Sequence, residues 1–295
     1  MEIHKTYPSD LSNKEWNIIK PLIPVYQRGR KRCVNMRDII NGLLYITKTG
    51  CQWEYIPKDY PPKSTVHYYF NKWTIDGSWK KIHGSLRRKL RVQSGRDPEP
   101  SAGILDSQSV KTTELACDKG FDGGKKVKGR KRQILVDVMG LLLGVKIHPA
   151  NIHDSVGAKD IFSPDLCMSH PLLKIWADGG YQGEFQKFLK KRYDIAVEIV
   201  KSIKYRGRVP KRYQILPKDK LQLELFKFIT PKISREAELK NFKIVKWRWI
   251  VERTLAWLSR NRRLSKDYEK KSESGESFCY LAMTRLMLTR LTRKE

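Results

Sequence analysis

The stretch that decides the fold is KRQILVDVMGLLLGVKIHPA, residues 131–150, in which two apolar runs rich in β-branched residues lie on either side of Met139-Gly140. Two runs of strand length separated by a short break with glycine predict a β-hairpin.

Strand and helix patterns flank the hairpin in both directions. GILDSQSVKTT (103–113) precedes it, and LLKIWAD (172–178) and IAVEIV (195–200) follow it as runs of strand length. A short helix is expected at 155–162, and EFQKFLKKRY (184–193) has its apolar residues in helical phase. The order strand, hairpin, helix, strand, helix, strand, and then a long helix predicts an α/β domain with a mixed sheet.

Residues 1–95 are predicted to form a small, all-helical domain. Ser12 and Glu15 have the spacing of a capping box at the start of its first helix. A later helix is expected to use Ser64 or Thr65 as its N-cap. Several short helices with tight breaks are compatible with a helix-turn-helix-like DNA-binding module, although many three-helix domains share this pattern.

The turn-rich stretch RVQSGRDPEPSAG, 91–103, is the best domain boundary. A catalytic domain is predicted at 100–270, with a long helix that extends to about Arg263. Within it, 201–246 is predicted to be a basic, partly helical insertion, with disorder as the alternative. A C-terminal helix is predicted at 271–295.

The charge balance points to a polyanionic partner. Lys and Arg number 60 against 31 Asp and Glu, which gives a formal net charge of +29 over 295 residues. An excess of this size favours nucleic acid, through phosphate contacts and counterion release. The alternative is a merely basic, soluble protein.

The cysteine and hydropathy patterns indicate the kind of cellular environment in which the protein is expected. The five cysteines are scattered, with no CxxC pair, so reduced thiols are expected and a zinc site is not. No apolar run approaches the length of a membrane span, and no partner membrane is expected. A cytoplasmic location is the resulting expectation.

Three acids stand beside apolar elements. Asp106 lies within a predicted strand, Asp178 ends another before Gly179-Gly180, and Glu252 borders the apolar stripe of the long helix. Taken singly, such residues usually cap turns or face water. Together they would crowd in one core and raise each other's pKa unless cations hold them. Oxygen clusters of this kind suit Mg²⁺ or Mn²⁺, which can promote phosphodiester cleavage.

These motifs carry a family resemblance. The stretches ILDSQSVKTT, GKKVKGRKRQILVDVMGLLLGVKIHPANIHD, WADGGYQG and WIVERTLAWLSRNRRLSKDYE occur in that order. They closely resemble the Asp-Asp-Glu transposases of bacterial insertion sequences, specifically the insertion sequence five family. LSNKEWNIIKPLIP and GCQWEYIPKDYPPKSTVHYYFNKW are similar to the helical N-terminal domain of that family, so the resemblance covers nearly the whole chain.

The resemblance implies a ribonuclease-H-like core in which Asp106, Asp178 and Glu252 hold two Mg²⁺ ions, with Mn²⁺ as a substitute. The ions would activate water to free the 3′-OH ends of the element and then activate those ends to attack target DNA. Double-stranded DNA, as terminal inverted repeats and as target, is the implied partner. Because two ends need two active sites, a homodimer on DNA is expected.

One family pattern is incomplete. Related transposases space Tyr, Arg, Glu and Lys around the catalytic Glu, and Arg248 and Glu252 fit this pattern. Val245 stands at the Tyr position and Ser259 at the Lys position, with Arg260 next to it. Arg260 is a candidate to replace the missing phosphate contact.

Two basic groups are candidate DNA contacts. Six of the eight residues 125–132 are basic, which predicts a loop that binds phosphates close to Asp106, with a solvated hairpin lead-in as the alternative. The second group lies on and after the long helix. The candidates are Lys125, Lys126, Lys128, Arg130, Lys131, Arg132, Arg248, Arg253, Arg260, Arg262 and Arg263.

Weaker candidates complete the set. His153 and Asp154 could form an acid–base pair, although such pairs more often end a strand through local hydrogen bonds. Asp137 is a possible fourth metal-site acid, and Trp249 is a candidate for stacking on a DNA base. The expected function is that of a DNA transposase, which binds the terminal inverted repeats of its insertion sequence and catalyses metal-dependent DNA cleavage and strand transfer. The alternatives are an inactive or domesticated DNA-binding repressor and a related Mg²⁺-dependent nuclease without strand transfer.

Overall fold

A computed structural model describes residues 7–26, 34–200 and 248–293. The basic segment predicted at 201–246, which includes Val245, lies outside the described residues. The first part is helical, with α1 Asn13–Ile19, α2 Met36–Thr49, α3 Lys63–Ile75 and α4 Ser78–Gln93. Short 3₁₀ turns occur at Lys20–Leu22 and Trp53–Tyr55.

The remaining elements alternate strands and helices. In chain order they are β1 Ala102–Lys111, β2 Gly120–Asp122, β3 Val127–Val136, β4 Leu142–Pro149, α5 Asp154–Gly157, α6 Pro164–Ser169, β5 Lys174–Ala177, α7 Glu184–Tyr193, β6 Ala196–Ile199, α8 over 248–259 and α9 Ser272–Thr292. Further 3₁₀ turns occur at Ala158–Ile161, Gly179–Tyr181 and Arg262–Leu264. The long helix thus ends before Arg263, and the sequence interpretation missed β2 and α6.

The helix caps test the N-terminal prediction. The capping box is confirmed, because Ser12 Oγ accepts from the Glu15 N–H at 3.3 Å and Glu15 Oε2 accepts from the Ser12 N–H at 2.8 Å. The cap predicted for α3 is wrong. Its N-cap is Pro62, which has no side-chain hydrogen bond to offer, and Ser64 and Thr65 already lie within the helix.

The sheet is mixed, as predicted. Its strand order is β4-β3-β1-β5-β6, with β2 pairing the start of β3. β1–β3 and β3–β4 are antiparallel, whereas β1–β5 and β5–β6 are parallel. The β3–β4 hairpin turns at Gly140, whose φ of 80° lies in the left-handed region that favours glycine. This is the ribonuclease-H-like arrangement that the resemblance implied.

Each face of the sheet belongs to a separate core. Side chains alternate along a strand, so Ile104 and Leu105 point to opposite faces. Ile104 packs into a core with α8, α9 and the N-terminal helices, and Leu105 packs with α6 and α7. Helix α9 contacts α4 and β4, so the N-terminal helices and the sheet share one hydrophobic core.

A buried ion pair joins α4 to the hairpin turn. Arg91 on α4 pairs with Asp137, whose side chain is fully buried. Asp137 also accepts the N–H groups of Met139 and Leu141, both at 2.9 Å. The structure does not support the possibility that Asp137 is a fourth metal-site acid, because one of its oxygens is bonded to the turn and the other to Arg91.

His83 on α4 is buried as a neutral ring. Its edge packs against Tyr280 with ring centroids 5.2 Å apart, and within the described part of the chain its Nε2 has no hydrogen-bond partner. Burial lowers the pKa of His83 from 6.5 to about 3, and nearby Arg87 and His170 add to the effect. Protonating this ring in the folded state is therefore strongly unfavourable.

We expect His83 to weaken the fold in acid. Between pH 6.5 and 3 the unfolded imidazole binds a proton that the folded one excludes, so the free energy of unfolding falls as the pH falls. Urea denaturation at pH 7 and 4.5 measures this loss. Wild type should lose about 2–3 kcal/mol more than His83→Phe over that interval. Equal losses in the two proteins would contradict this account.

The residues that the structure describes include no helix long and apolar enough to cross a membrane.

Candidate active site

The two aspartates lie level with each other on neighbouring strands. β1 and β5 are parallel, and Ile104 pairs with Trp176. Asp106 and Asp178 each lie two residues beyond that pair, so the strand period places both side chains on the α8 side of the sheet. Both aspartates line one small pocket. The sequence patterns had predicted that these two acids and Glu252 come together, and Glu252 is the one that does not line this pocket.

Burial and mutual repulsion define the charge of this pocket. Burial raises the pKa of Asp106 to about 6, and the carboxylate of Asp178 adds to the rise. The Ser107 N–H, which donates to Asp106 Oδ1 at 2.7 Å, lowers this pKa, as do Lys125 and Arg248 nearby. The pocket thus favours a bound cation over two free negative charges.

The turn after β5 holds Asp178 in place. Asp178 Oδ1 accepts the Gly180 N–H at 2.9 Å. A Cβ on Gly180 would lie only 3.1 Å from that oxygen, which explains a glycine there. Tyr181 is fully buried and donates to Gln133 Oε1 at 2.7 Å, which fixes the turn to β3. Sequence reasoning missed these supports because backbone donors leave no composition signal.

Glu252 lies at the rim of the pocket. It is one helical turn beyond Arg248 on α8, and Glu252 Oε1 is 2.9 Å from Arg248 Nε. Arg248 lines the pocket, but Glu252 does not, and its side chain is half exposed. Across 7–26, 34–200 and 248–293, no three His, Cys, Asp or Glu side chains are arranged to hold a metal ion. The structure therefore places Asp106 and Asp178 in one pocket. Glu252 is linked to that pocket only by its ion pair with Arg248.

The donor set fits a divalent cation. Among the described residues, no Lys or Arg forms an ion pair with Asp106 or Asp178, in contrast to acids such as Asp137, Asp154 and Glu252. Carboxylate oxygens are the ligands that Mg²⁺ and Mn²⁺ prefer. Glu252 would supply a third oxygen ligand on leaving Arg248.

Three lysines of the predicted phosphate loop are exposed, and one of them reaches the strand that carries Asp106. Lys125, Lys126 and Lys128 lie at or near the start of β3. Lys125 Nζ donates to the backbone oxygen of Ser107 at 3.1 Å, beside Asp106. These side chains remain candidates for DNA contact.

The two arginines of the same run are structural. Arg130 and Arg132 are fully buried in β3, so the prediction that they contact DNA is wrong. Their guanidinium groups donate to backbone oxygens of the segment after α8, Arg130 to Glu269 and Lys270, and Arg132 to Leu264 and Lys266. They attach that segment to the sheet.

Two further predicted contacts are also internal. Lys131 is buried and ion-paired with Asp154 at 2.8 Å. Arg263 is buried, with its Nε 2.7 Å from Glu269 Oε1 and its Nη1 donating to the Cys51 oxygen at 3.1 Å. The DNA-contact prediction is wrong for both, because these cations are already neutralised inside the protein.

The arginines on and after α8 also include both structural and exposed side chains. Arg253 is half buried between the rings of Trp249 and Trp257, with centroid distances of 4.7 and 4.6 Å, and it donates to the Met139 oxygen. Arg260 and Arg262 are exposed. Arg253 therefore supports α8, whereas the other two are open to a ligand.

The His153–Asp154 pair does not form acid–base machinery. His153 is the N-cap of α5, and its Nδ1 accepts the Ser155 N–H at 3.3 Å. Asp154 points instead to Lys131 and Ser107. The alternative of local hydrogen bonding is therefore the one that the structure supports. Trp249 is 56% exposed and open to a stacking partner.

Comparisons with known proteins identify both parts of the chain. A family described as a transposase of the IS4/5 family matches residues 11–83, and the family "Transposase DDE domain" matches residues 97–287. The second match spans both pocket aspartates and Glu252. The "Insertion element IS402 uncharacterized 16.2 kDa protein" of Burkholderia cepacia is 28% identical over 108 residues, which is 34% of this chain and 72% of that protein.

Proposed function

Because this chain belongs to the Transposase DDE domain family, we propose that it binds the terminal inverted repeats of its insertion sequence and catalyses cut-and-paste transposition by DNA cleavage and strand transfer. The observation that carries the proposal is the Asp106–Asp178 pair, in which the two acids lie level with each other on neighbouring parallel strands, with Lys125 and Arg248 beside them. Acids of this kind inside a strongly basic chain serve to hold cations where a phosphodiester reacts.

The proposed catalytic residues are Asp106, Asp178 and Glu252. Members of this family generally use divalent metal ions, and we assign two Mg²⁺ ions here, with Mn²⁺ as a substitute. Such ions would activate the attacking water or 3′-OH and stabilise the leaving oxygen. The protein's own part is to orient the carboxylates through the N–H groups of Ser107 and Gly180.

Positive side chains around the pocket would bring the DNA backbone to the acids. Arg248 is half exposed at the pocket wall, and Lys125 reaches the backbone of Ser107. Phosphate contacts of this type position DNA without reading its sequence. The proposed contacts are Lys125, Lys126, Lys128, Arg248, Arg260 and Arg262. Sequence reading is assigned to the N-terminal helices, and the active form is assigned as a homodimer on two DNA ends.

The decisive experiment uses the DNA that flanks the gene. Purified protein and Mg²⁺ are incubated with a linear fragment carrying the flanking inverted repeats and with a supercoiled target plasmid. We expect cleavage at the repeat ends followed by their joining to the plasmid. Nicking without joining would support a nuclease, and specific binding without any cleavage in Mg²⁺ or Mn²⁺ would support a repressor.

Replacing Lys125, Lys126 and Lys128 together by Gln should weaken DNA binding and flatten its salt dependence. Each lysine on a phosphate releases about one counterion, so the slope of log K against log salt should fall by about three in the triple variant. Fluorescence anisotropy of a labelled duplex at several KCl concentrations measures this slope.

A matched control removes the same charge elsewhere. Lys187, Lys190 and Lys191 are exposed on α7, which covers the face of the sheet opposite the pocket. Their replacement by Gln should leave the slope nearly unchanged. Equal losses in the two triple variants would show that net charge, and not this loop, determines the affinity.

A further inference from the structure

A buried lysine lies on the face of the sheet behind the catalytic pair. Lys131 shares the face of Leu135, which belongs to the α6–α7 core. Its Nζ donates to the Ile152 oxygen at 2.8 Å and is 2.8 Å from Asp154 Oδ1 and 3.7 Å from Asp122 Oδ2. The ammonium group thus has one hydrogen-bonded carbonyl and two carboxylates around it, and the residue is only 5% exposed.

Asp154 connects this lysine to both catalytic strands. Its Oδ1 accepts from Ser107 Oγ at 3.0 Å, and Ser107 is the residue whose N–H holds Asp106. Its Oδ2 lies beside the turn after β5, since a Cβ on Gly180 would be 3.6 Å away from it. One carboxylate therefore borders the supports of Asp106 and of Asp178.

Asp122 connects the same lysine to the phosphate loop. Its Oδ1 accepts the N–H groups of Gly124 and Lys125, both at 3.0 Å. Its Oδ2 accepts from Ser109 Oγ on β1 at 2.6 Å. The loop that presents Lys125 to the pocket is therefore fixed to β1 by an acid that Lys131 neutralises.

We propose that Lys131 is a positioning residue for the Asp106–Asp178 pair. Lys131 contacts neither Asp106 nor Asp178. It neutralises Asp154 and Asp122, and so keeps the carboxylates of these two residues hydrogen-bonded to β1. Without it, two poorly solvated carboxylates would remain unpaired beneath a site that already holds two acids, and they would repel one another. The inference rests on the proposed function, because that reaction is the one whose geometry Lys131 would serve.

The test compares Lys131→Met with a matched variant of a second lysine in the same sheet. Lys146 on the adjacent strand β4 pairs with Glu276 at 3.4 Å and lies outside the site. In Lys131→Met, the single-turnover cleavage rate at saturating DNA should fall about 10–100-fold, as is usual for partners that orient metal ligands. The Kd for DNA should stay within about twofold, Lys131→Arg should recover part of the rate, and Lys146→Met should cleave like wild type.

A second readout needs neither DNA nor metal. The amides of Ser107 and Gly180 donate to the two catalytic carboxylates, so their hydrogen exchange reports how firmly the pair is held. Exchange at both should accelerate in Lys131→Met and not in Lys146→Met. If Lys131→Met does not fold, Ser107→Ala cuts the same connection without leaving a buried charge, and it should slow cleavage with little change in Tm.

The outcomes separate the possible roles. A loss of DNA affinity with an unchanged maximal rate in Lys131→Met would make Lys131 a DNA contact and overturn the proposal. Unchanged rates and unchanged amide exchange in both Lys131→Met and Ser107→Ala would reduce it to a residue of general stability. If the wild-type protein cleaved nothing, the proposed function would fail, and the exchange at Ser107 and Gly180 would still decide whether Lys131 orders the pair.

Discussion

Asp178→Asn is expected to reduce DNA cleavage by about 10³-fold or more while the affinity for DNA stays within about twofold of wild type. Asparagine keeps the shape of the side chain and the oxygen that accepts the Gly180 N–H at 2.9 Å, so the turn after β5 should survive. It removes the negative charge that a divalent cation needs. The proposed DNA contacts are lysines and arginines, which this change does not touch.

The comparison needs a matched acid and two assays. Asp165 is exposed in the first turn of α6, and Asp165→Asn should cleave and bind like wild type. Cleavage is followed on a labelled repeat-end duplex in Mg²⁺, and binding is followed on the same duplex in Ca²⁺. Retained cleavage in Asp178→Asn would refute a catalytic role, and a parallel loss of binding would indicate a structural one.

Asp137→Ala is expected to lower the free energy of unfolding by about 3–5 kcal/mol, the usual effect of breaking a buried ion pair. The change leaves the buried guanidinium of Arg91 without its acid, and the N–H groups of Met139 and Leu141 without their acceptor. Thr254 on α8 donates to the oxygen of Gly140 in the same turn, so α8 should loosen as well. Guanidinium chloride denaturation measures the loss.

An exposed ion pair provides the control for this change. Lys187 lies 3.7 Å from Glu184 on the surface of α7, and Lys187→Met should change stability by less than about 0.5 kcal/mol. Asp137→Asn should lower the free energy of unfolding by an amount between those of Asp137→Ala and Lys187→Met, because it keeps an oxygen for the turn but loses the charge. A loss below about 1 kcal/mol in Asp137→Ala would show that α4 and the hairpin do not depend on this contact.

The positions of the two pocket aspartates were predictable because their signals are local. An acid within an apolar strand, or directly after one, stands out against its neighbours at Asp106 and Asp178. The strand order then brings the two together without further information. The same reasoning gave the mixed sheet and the hairpin, since each depends on runs of a few residues and on one glycine in the turn.

The basic run at 125–132 shows where a charge count fails. It cannot distinguish Lys128 from Arg130, although the first is exposed and the second is fully buried. What buries Arg130 and Arg132 is a segment more than a hundred residues away in sequence, whose backbone oxygens satisfy both guanidinium groups. Such a contact depends on tertiary structure and has no trace in the run itself.

Glu252 shows that helical periodicity is limited in the same way as a charge count. Helical phase placed it correctly at the edge of the apolar stripe, near the pocket. The Glu252 side chain can point to the two aspartates or to Arg248. Which of these conformations it adopts depends on whether a cation is bound in the pocket. Periodicity predicts on which face of a helix a residue lies, but it does not predict which neighbouring side chain that residue contacts.

Helix α9 carries a consequence for how the protein is made. Phe278, Leu281 and Met287 complete the core on which the N-terminal helices depend, yet the ribosome adds them after the whole sheet. A nascent chain therefore exposes the apolar surface of α4 until translation has passed α9. A gene copy interrupted by a stop codon before α9 should consequently yield a polypeptide that cannot complete this core and is degraded.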